Sequence, residues 1–311
     1  MRAVFLLYAL ALAACNEQQP VSAAESAVVA QSLAPSDLPA FFDCLRDRGQ
    51  TVIAAHRGGP APGFAENAIP TFENTLRGAP ALLEIDISET RDGALVLMHD
   101  DALDRTTNGE GAVRDRALAE IQALQLEDND GRALDAHPPT LREALDWAAD
   151  RAILELDVKR GVSYEDVVAE VRAANAADRV IFITYSTAAA IRVHRLTPEL
   201  MISTTIESEA DLSALQNARV DLSRILAWTG TEEPNSALNA ALAERGIEVL
   251  FGTLGGRGSW DNRFAASGDD RYAEFAEAGI HVIATDRPAA AARDLDAADG
   301  VDGFGAMLCA R

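Results

Sequence analysis

The stretch Glu84–Asp104, which reads EIDISETRDGALVLMHDDALD, decides the fold. Glu84 and Asp86 are two residues apart in an apolar run, and side chains at positions i and i+2 of a strand point to the same face. Buried like charges repel each other and lose hydration, so such a pair indicates a bound cation or a shared proton. An edge strand with solvated acids is the alternative, and the apolar neighbours 81–83 and Ile85 disfavour it.

A hairpin and a long polar segment follow this strand. Asp92-Gly93 lies between two apolar runs and indicates a tight turn, so the run 94–98 folds back and brings His99 beside the carboxylates. Residues 100–139 are polar and rich in Asp, Gly and Asn. Loops of this length are usually functional or disordered, and we expect an insertion that forms a lid or cap on the substrate side.

The rest of the chain alternates short apolar runs with longer amphipathic stretches. The predicted strands are Thr51–Ala55, Leu82–Ile87, Ile153–Val158, Val180–Tyr185, Leu200–Thr204, Ile225–Trp228, Glu248–Phe251 and His281–Ala284. Helical patterns occupy 68–78, 140–150, 163–176, 187–196, 208–218, 235–245 and 270–278. Eight strands with helical patterns between most of them predict a closed (β/α)8 TIM barrel, a single domain over 40–311, with a small insertion after the second strand. An open doubly wound sheet is the alternative, but no Gly-rich phosphate-binding turn supports it.

The net charge indicates which classes of partner the protein does not bind. The chain has 27 basic and 49 acidic residues, a net charge of -22, which argues against nucleic acid and against unassisted docking on anionic lipid. No internal run is long enough to span a membrane. The sequence does not indicate an oligomeric state.

The N-terminus has the pattern of an export signal. A basic Arg2, an apolar segment over 4–11 and the sequence LAAC ending at Cys15 resemble the lipobox of bacterial lipoproteins. The resemblance implies a signal peptide over 1–15, a lipid anchor on Cys15, and a location in the periplasm or at the cell exterior. An ordinary secretory peptide that contains a cysteine is the alternative. Residues 16–39 are rich in Ala, Ser, Gln and Pro, and predict a flexible tether.

Two further cysteines, Cys44 and Cys309, lie near the ends of the predicted domain. Export places them in an oxidising compartment, and the ends of a compact domain are often close together. A disulfide between them is one possibility, and two free thiols are the other.

Several polar side chains are predicted at one mouth of the barrel, because active sites of such barrels lie at the C-terminal ends of the strands. These residues are His56, Arg57, Glu84, Asp86, His99, Glu155, Asp157, Lys159, Tyr185 and Asp286. Clustered acids with few histidines and no nearby cysteine suit Mg²⁺ or Ca²⁺ better than zinc. Asp157 lies about 6–7 Å nearer the mouth than Glu155, so Asp157 is the predicted ligand and Glu155 a supporting acid.

The basic side chains indicate the reaction class. Arg57 and Lys159 beside a cation suit an anionic group, most simply a phosphate. Two histidines, His56 and His99, suit a general acid and a general base. The residues therefore predict metal-assisted cleavage of a phosphate ester.

The order of these motifs resembles the glycerophosphodiester phosphodiesterase family over nearly all of residues 51–288. The matching motifs are His56-Arg57-Gly58, Glu66-Asn67, Glu84-Ile85-Asp86, Thr90-Arg91-Asp92-Gly93, His99-Asp100, Asp104-Arg105-Thr106-Thr107, Asp157-Val158-Lys159 and Thr285-Asp286-Arg287-Pro288. Together they are highly specific, whereas His-Arg-Gly alone is a weak signal.

The resemblance implies a (β/α)8 barrel, an activity and a set of roles. Glycerophosphodiesters are hydrolysed to an alcohol and glycerol 3-phosphate, with the glycerol 2-hydroxyl as a possible first nucleophile that gives a cyclic phosphate. The implied roles are acid/base catalysis by His56 and His99, metal binding by Glu84, Asp86 and Asp157, phosphate binding by Arg57 and Lys159, and support from Glu66 and Glu155.

The sequence departs from the family pattern in three places. The usual Pro-Glu-Asn-Thr is replaced by residues 65–68, where Glu66 lies 18 positions before Glu84 as in the family. The third metal ligand is usually Glu, and a shorter Asp157 leaves the choice of metal open. In the loop 251–260, Arg257 and Trp260 are expected to shape the leaving-group side, and a flexible surface loop is the alternative.

The remaining histidines, His137, His194 and His281, are interpreted as structural. Asp286 is expected to hydrogen-bond neighbouring loops rather than to catalyse. The rival functions are a phospholipase-D-like enzyme that releases a cyclic phosphate from lysolipids or sphingolipids, a glycoside hydrolase with paired acids, and a non-catalytic lipoprotein that binds phosphate headgroups. Glycoside hydrolysis by paired acids does not require basic side chains such as Arg57 and Lys159, which disfavours the glycoside hydrolase.

Overall fold

The computed structural model describes residues 32–299 and 305–310. Its strands are β1 (Val52–Ala55), β2 (Ala81–Glu89), β3 (Leu95–Leu97), β4 (Leu154–Val158), β5 (Val180–Thr184), β6 (Met201–Thr205), β7 (Ile225–Trp228), β8 (Glu248–Gly252) and β9 (Val282–Thr285). Apart from β3, all are parallel, and the sheet closes because β1 pairs with both β2 and β9. The predicted eight-stranded TIM barrel is confirmed.

Helices cover the outside of the barrel. They are α1 (Leu38–Arg48), α2 (Ile69–Gly78), α3 (Leu118–Gln122), α4 (Leu141–Trp147), α5 (Tyr164–Ala173), α6 (Thr187–Leu196), α7 (Glu209–Asn217), α8 (Ser236–Ala243), α9 (Trp260–Ser267), α10 (Tyr272–Glu277) and α11 (Pro288–Asp299). Seven of them, α2, α4 to α8 and α10, match the predicted helical patterns. Within the described residues no helix combines the length and apolarity needed to cross a membrane.

The two-residue repeat of β2 sorts its side chains between two cores. Leu83 and Ile85 pack outward beneath the helices, whereas Leu82 joins the residues that fill the barrel floor. All three are fully buried, which stabilises the fold by about 1.5–3 kcal/mol per side chain. Glu84 and Asp86 share the inward face with Leu82 but lie nearer the mouth. The same repeat that builds the barrel therefore places two carboxylates inside it.

Helix α1 closes the floor of the barrel and was not predicted. Its Phe41 and Phe42 are buried against floor residues, and Asp37 caps its first turn by accepting from the Ala40 N–H at 3.1 Å. Leu33 is also fully buried, and its N–H donates to the carbonyl of Arg151 at 2.9 Å.

The described residues cover only part of the segments predicted at the N-terminus. Residues 32–39 belong to the folded domain, so the tether predicted over 16–39 extends too far at this end. The signal peptide 1–15, Cys15 and the rest of the tether lie outside the described residues. The Cys44–Cys309 disulfide is present and joins α1 to the C-terminal segment.

The insertion is a packed unit. Strand β3 pairs antiparallel with β2 through a turn at Gly93, whose φ of +81° favours glycine. The segment 98–139 contains α3, and its residues Met98, Leu103, Val113 and Ile121 form a small core with Val96 of β3. The insertion therefore has the internal packing to hold His99 and the residues that follow it in fixed positions.

Candidate active site

Three carboxylates meet at the mouth of the barrel. Strands β2 and β4 pair so that Glu84 lies opposite Glu155 and Asp86 opposite Asp157. Ligand oxygens of Glu84, Asp86 and Asp157 lie within 4.8 Å of one another. All three side chains are buried. The sequence predicted this triad, and the register of the two strands explains why it forms.

The loop after β1 supports the triad from one side. The backbone N–H of Arg57 donates to Oε2 of Glu84 at 2.7 Å, with Arg57 in the left-handed region at φ +52°. Gly58 follows at φ +79°, and a Cβ there would lie 2.3 Å from the Phe72 ring. This close approach explains the His-Arg-Gly motif, because only glycine fits at the third position.

Asn67 and Lys159 hold Asp86 from two other sides. The Asn67 amide donates to Oδ2 of Asp86 at 2.6 Å, and its carbonyl oxygen accepts from the Asp86 N–H at 2.9 Å. Lys159 Nζ lies 2.6 Å from Asp86 Oδ1 and 2.5 Å from Asp157 Oδ2. Oδ1 of Asp157 is buried and has no hydrogen-bond partner in the described part of the chain.

The charges of the site perturb one another. Burial, with the neighbouring Asp86 and Asp157, raises the pKa of Glu84 well above its usual range. Burial alone would lower the pKa of Lys159, but the carboxylates of Asp86 and Asp157 outweigh it and raise that pKa. The neighbouring carboxylates therefore disfavour the charged form of Glu84 and favour the charged form of Lys159.

Each predicted catalytic histidine has a carboxylate on Nδ1. His56 Nδ1 lies 2.7 Å from Oδ1 of Asp286, and His99 Nδ1 lies 2.6 Å from Oδ1 of Asp100. A carboxylate there favours the tautomer with its proton on Nδ1, which leaves Nε2 as the proton acceptor. Asp286 also accepts from the Gly255 N–H at 3.0 Å, so it contacts a loop as expected but contacts His56 as well. Burial would raise the pKa of Asp286, but these hydrogen bonds outweigh it and lower that pKa.

Glu66 links the two sides of the mouth. It is 5% exposed and accepts from Arg57 Nη1 at 3.0 and 3.2 Å. It also accepts from Arg105 at 2.7 and 2.8 Å. Burial alone would raise the pKa of Glu66, but the guanidinium groups of Arg105 and Arg57 outweigh burial and lower that pKa. The structure places this predicted supporting acid behind Arg57.

Glu155 is a different kind of acid. It is 1% exposed, and its Oε1 has no hydrogen-bond partner among the described residues. Burial raises its pKa to about 8, so it holds a proton at neutral pH and adds no charge. Its place opposite Glu84, below Asp157, agrees with the choice of Asp157 as the third member of the triad.

A cavity of about 210 Å³ adjoins the triad. Its walls include His56, Glu84, Glu155 and Asp157 on the polar side and Ile183, Tyr185, Trp228 and Leu254 on the apolar side. The expected position of Trp260 is wrong: its indole N–H donates to the Glu232 carbonyl, and its ring packs against Phe264 and Phe275. Arg257 is exposed on its loop. Trp228, at the end of β7, takes the place beside the triad.

Sequence reasoning missed four contributors: Asn67, Arg105, Trp228 and the contact of Asp286 with His56. Three of them lay within motifs that the family resemblance had matched, which was the available signal. Their partners come from other loops, so spacing along the chain did not reveal the contacts. Of the histidines interpreted as structural, His281 is buried and accepts from the Val249 N–H at 3.0 Å.

Residues 56–290 match the model of the glycerophosphoryl diester phosphodiesterase family. The chain belongs to this family. The match begins at His56 and includes the triad, both catalytic histidine candidates and the whole insertion.

Individual relatives agree with the family assignment. A glycerophosphodiester phosphodiesterase from Caldanaerobacter subterraneus is 31% identical over 160 residues, covering 49% of this chain and 65% of the relative. One from Bacillus subtilis is 32% identical over 183 residues, covering 52% of this chain and 61% of the relative. The matches thus span less than two thirds of the length of these relatives.

Solved structures of two phosphodiesterases have the same fold. A glycerophosphoryl diester phosphodiesterase from Parabacteroides distasonis has a TM-score of 0.76 and 30% identity, covering 86% of this chain and 94% of its own. A phosphodiesterase from Oleispira antarctica, in complex with the product sn-glycerol-3-phosphate, has a TM-score of 0.62 and 20% identity, covering 81% and 99%. The second likeness shows the fold alone.

Proposed function

We propose that this protein hydrolyses glycerophosphodiesters to an alcohol and sn-glycerol 3-phosphate with the help of a divalent cation. One observation carries the proposal. Three carboxylates are buried together in contact with Lys159, His56 lines the cavity beside them, and His99 connects to Arg57 through Asp100, Arg105 and Glu66. Membership of the family supports the same activity.

The donor set fits a hard divalent cation. Glu84, Asp86 and Asp157 offer oxygens within 4.8 Å of one another, and Asp157 Oδ1 is buried without a partner among the described residues. Carboxylate oxygens suit Mg²⁺ and Ca²⁺. When bound there, such a cation would supply stabilisation of negative charge on a phosphoryl oxygen.

The side chains of this protein supply the remaining steps. Arg57 and Lys159 bind the non-bridging phosphate oxygens. Of His56 and His99, one accepts the proton of the attacking hydroxyl on Nε2 and the other donates a proton to the leaving alcohol. The attacking hydroxyl belongs to water or to the glycerol 2-position, and in the second case water opens the cyclic phosphate. Glu66 and Glu155 support this arrangement from behind Arg57 and below Asp157.

A substrate panel tests the proposal. Glycerophosphodiesters with choline, ethanolamine, glycerol and inositol headgroups are incubated with Mg²⁺, Ca²⁺ or a chelator, and products are followed by phosphorus NMR. We expect turnover that the chelator stops and the cation restores, and loss of turnover in His56→Ala and His99→Ala. Full activity of either variant contradicts the assignment. A cyclic phosphate as the final product supports the phospholipase-D-like alternative, and headgroup binding without turnover supports the non-catalytic one.

We also infer that the protein is exported and anchored through Cys15. The sequence before Cys15 supports this, and the Cys44–Cys309 disulfide suits an oxidising compartment. Metabolic labelling with a palmitate analogue tests it, with Cys15→Ser as the control. Equal labelling of the two proteins contradicts a lipid anchor at Cys15.

A further inference from the structure

We infer that Arg105, in the insertion, is a positioning residue that holds His99 and Arg57 in one rigid unit across the mouth. The inference rests on the proposed function, because it assigns His99 to proton transfer and Arg57 to phosphate binding. Arg105 itself need not touch the substrate to act in this way.

The guanidinium of Arg105 binds two carboxylates at once. Its Nε donates to Asp100 Oδ2 at 2.6 Å and its Nη2 to Asp100 Oδ1 at 3.1 Å. Nη1 and Nη2 also donate to the two oxygens of Glu66 at 2.8 and 2.7 Å. A planar guanidinium with five N–H donors fits two carboxylates in this way, and the pairing fixes angles as well as distances. A lysine, with one ammonium nitrogen, cannot reproduce it.

Each of these carboxylates has a second partner in the site. Asp100 Oδ1 lies 2.6 Å from Nδ1 of His99, and Glu66 accepts from Arg57 at 3.0 Å. The chain of contacts therefore runs from His99 through Asp100, Arg105 and Glu66 to Arg57. Within the described ranges, Arg105 is the only residue with hydrogen bonds to both Asp100 and Glu66.

The exposure of these groups separates positioning from general stability. The Arg105 side chain is 44% exposed, and pairs with that much solvent contact contribute little to folding. Glu66 is 5% exposed, and Arg57 is its only other charged partner among the described residues, so without Arg105 the Glu66 carboxylate can rotate with Arg57. Loss of Arg105 should therefore disturb the geometry of the mouth more than the fold.

Arg105→Met removes both bidentate pairs, and Arg105→Lys keeps the charge. The matched control is Arg116→Met, because Arg116 is 45% exposed and pairs with Glu120 in the same insertion. The measurements are kcat, KM, thermal unfolding, and calorimetric affinity for inorganic phosphate in the presence of Mg²⁺. Phosphate affinity reports on the Arg57 side, and kcat on the His99 side.

We expect Arg105→Met to lower kcat about 10- to 100-fold, because misplaced catalytic groups typically cost that much, and to weaken phosphate binding about fivefold. Arg105→Lys should show smaller losses of kcat and phosphate affinity than Arg105→Met. Arg116→Met should show neither loss. Asp100→Asn should lower kcat with little effect on phosphate binding, and Glu66→Gln should mainly weaken phosphate binding. An Arg105→Met protein that unfolds like wild type and keeps wild-type kcat and phosphate affinity overturns the inference.

Two further outcomes are also decisive. If Arg105→Met does not fold, the folded Arg105→Lys protein decides: reduced kcat and phosphate affinity support the inference, and wild-type values overturn it. If the wild-type protein hydrolyses no diester, the proposed function fails. Phosphate affinity then tests the Glu66 side separately, and an Arg105→Met value equal to wild type overturns the inference.

Discussion

His56 Nδ1 and Asp286 Oδ1 lie 2.7 Å apart, although the residues are 230 positions apart in the chain. Closure of the barrel brings them together, because β1 and β9 pair so that Ala55 lies opposite Thr285. Asp286 is itself fixed, since its backbone N–H donates to Asp261 at 2.6 Å. The orientation of His56 thus depends on the last pairing of the sheet.

Asp286→Asn should lower kcat about 100-fold, because the amide removes the negative charge that selects the Nδ1–H tautomer of His56. The matched control is Asp270→Asn, since Asp270 pairs with the adjacent Arg287 at 2.5 Å rather than with a histidine. Steady-state kinetics of both variants check the prediction. Equal losses in the two variants indicate a general disturbance of this loop and contradict a specific role for Asp286.

Lys159 is the only lysine in the chain, among 27 basic residues. Its ammonium lies 2.5 and 2.6 Å from two carboxylates. An ammonium is a compact point charge, whereas a guanidinium is wide and planar. Lys159→Arg should therefore lower kcat/KM about tenfold or more despite the retained charge, and Lys159→Met should lower it further. Full activity of the arginine variant contradicts a requirement for the compact ammonium.

The single ε-amine also gives a direct test of the cation site. Reductive methylation should yield one dimethyl-lysine resonance in NMR, from Lys159. Titration with Mg²⁺ or Ca²⁺ should shift this resonance, because a cation among Glu84, Asp86 and Asp157 changes the charge beside the ammonium. The same titration of Asp157→Asn is the control. A resonance that saturating cation does not move contradicts binding at the triad.

The sequence predicted the parts of the site that follow the strand repeat. Glu84 and Asp86 share a face because they are two residues apart, and Asp157 joins them through parallel pairing of β2 with β4. The bridges from Asp286 to His56 and from Arg105 to Glu66 join loops distant in the chain. No periodicity encodes such contacts, so the sequence alone did not predict them.

Two other differences have tertiary causes. The composition of residues 16–39 suggested a tether, but Leu33 and the start of α1 fold because the barrel floor offers them an apolar surface. Trp260 was expected at the mouth because of its loop, but it packs with Phe264 and Phe275 outside the barrel. Which side of a loop faces the mouth depends on packing that a single sequence does not reveal.

Acid should destabilise the fold through His281. Burial, with a smaller effect of Arg46, lowers the pKa of His281 from 6.5 to about 4. The neutral ring is therefore favoured in the folded state, so its stabilisation is complete above about pH 6.5 and is lost as the pH falls toward 4. The full difference is on the order of 3 kcal/mol.

Unfolding by denaturant between pH 4 and 8 tests this prediction. The Asn side chain of His281→Asn can still accept from the Val249 N–H. The unfolding free energy of this variant should therefore fall less than that of wild type as the pH is lowered toward 4. His137→Asn is the control, because His137 is 51% exposed. An equal fall of the unfolding free energy with acid in wild type and His281→Asn would show that other groups cause the acid destabilisation.

Reduction of the Cys44–Cys309 disulfide should loosen the barrel floor and leave the mouth intact. The bond joins residues 265 positions apart, and such long loops gain about 2–5 kcal/mol from a cross-link. Cys44 lies on α1, whose Phe41, Phe42 and Leu45 fill the floor, far from the triad at the opposite end of the barrel. Cys44→Ser should therefore lower the unfolding free energy by that amount while kcat at low temperature stays unchanged.

Cys309→Ser should behave identically, since either change breaks the same bond. A reductant should destabilise wild type but neither variant. A further loss on reducing a variant contradicts this pairing, as does the finding of free Cys44 and Cys309 thiols in the native protein.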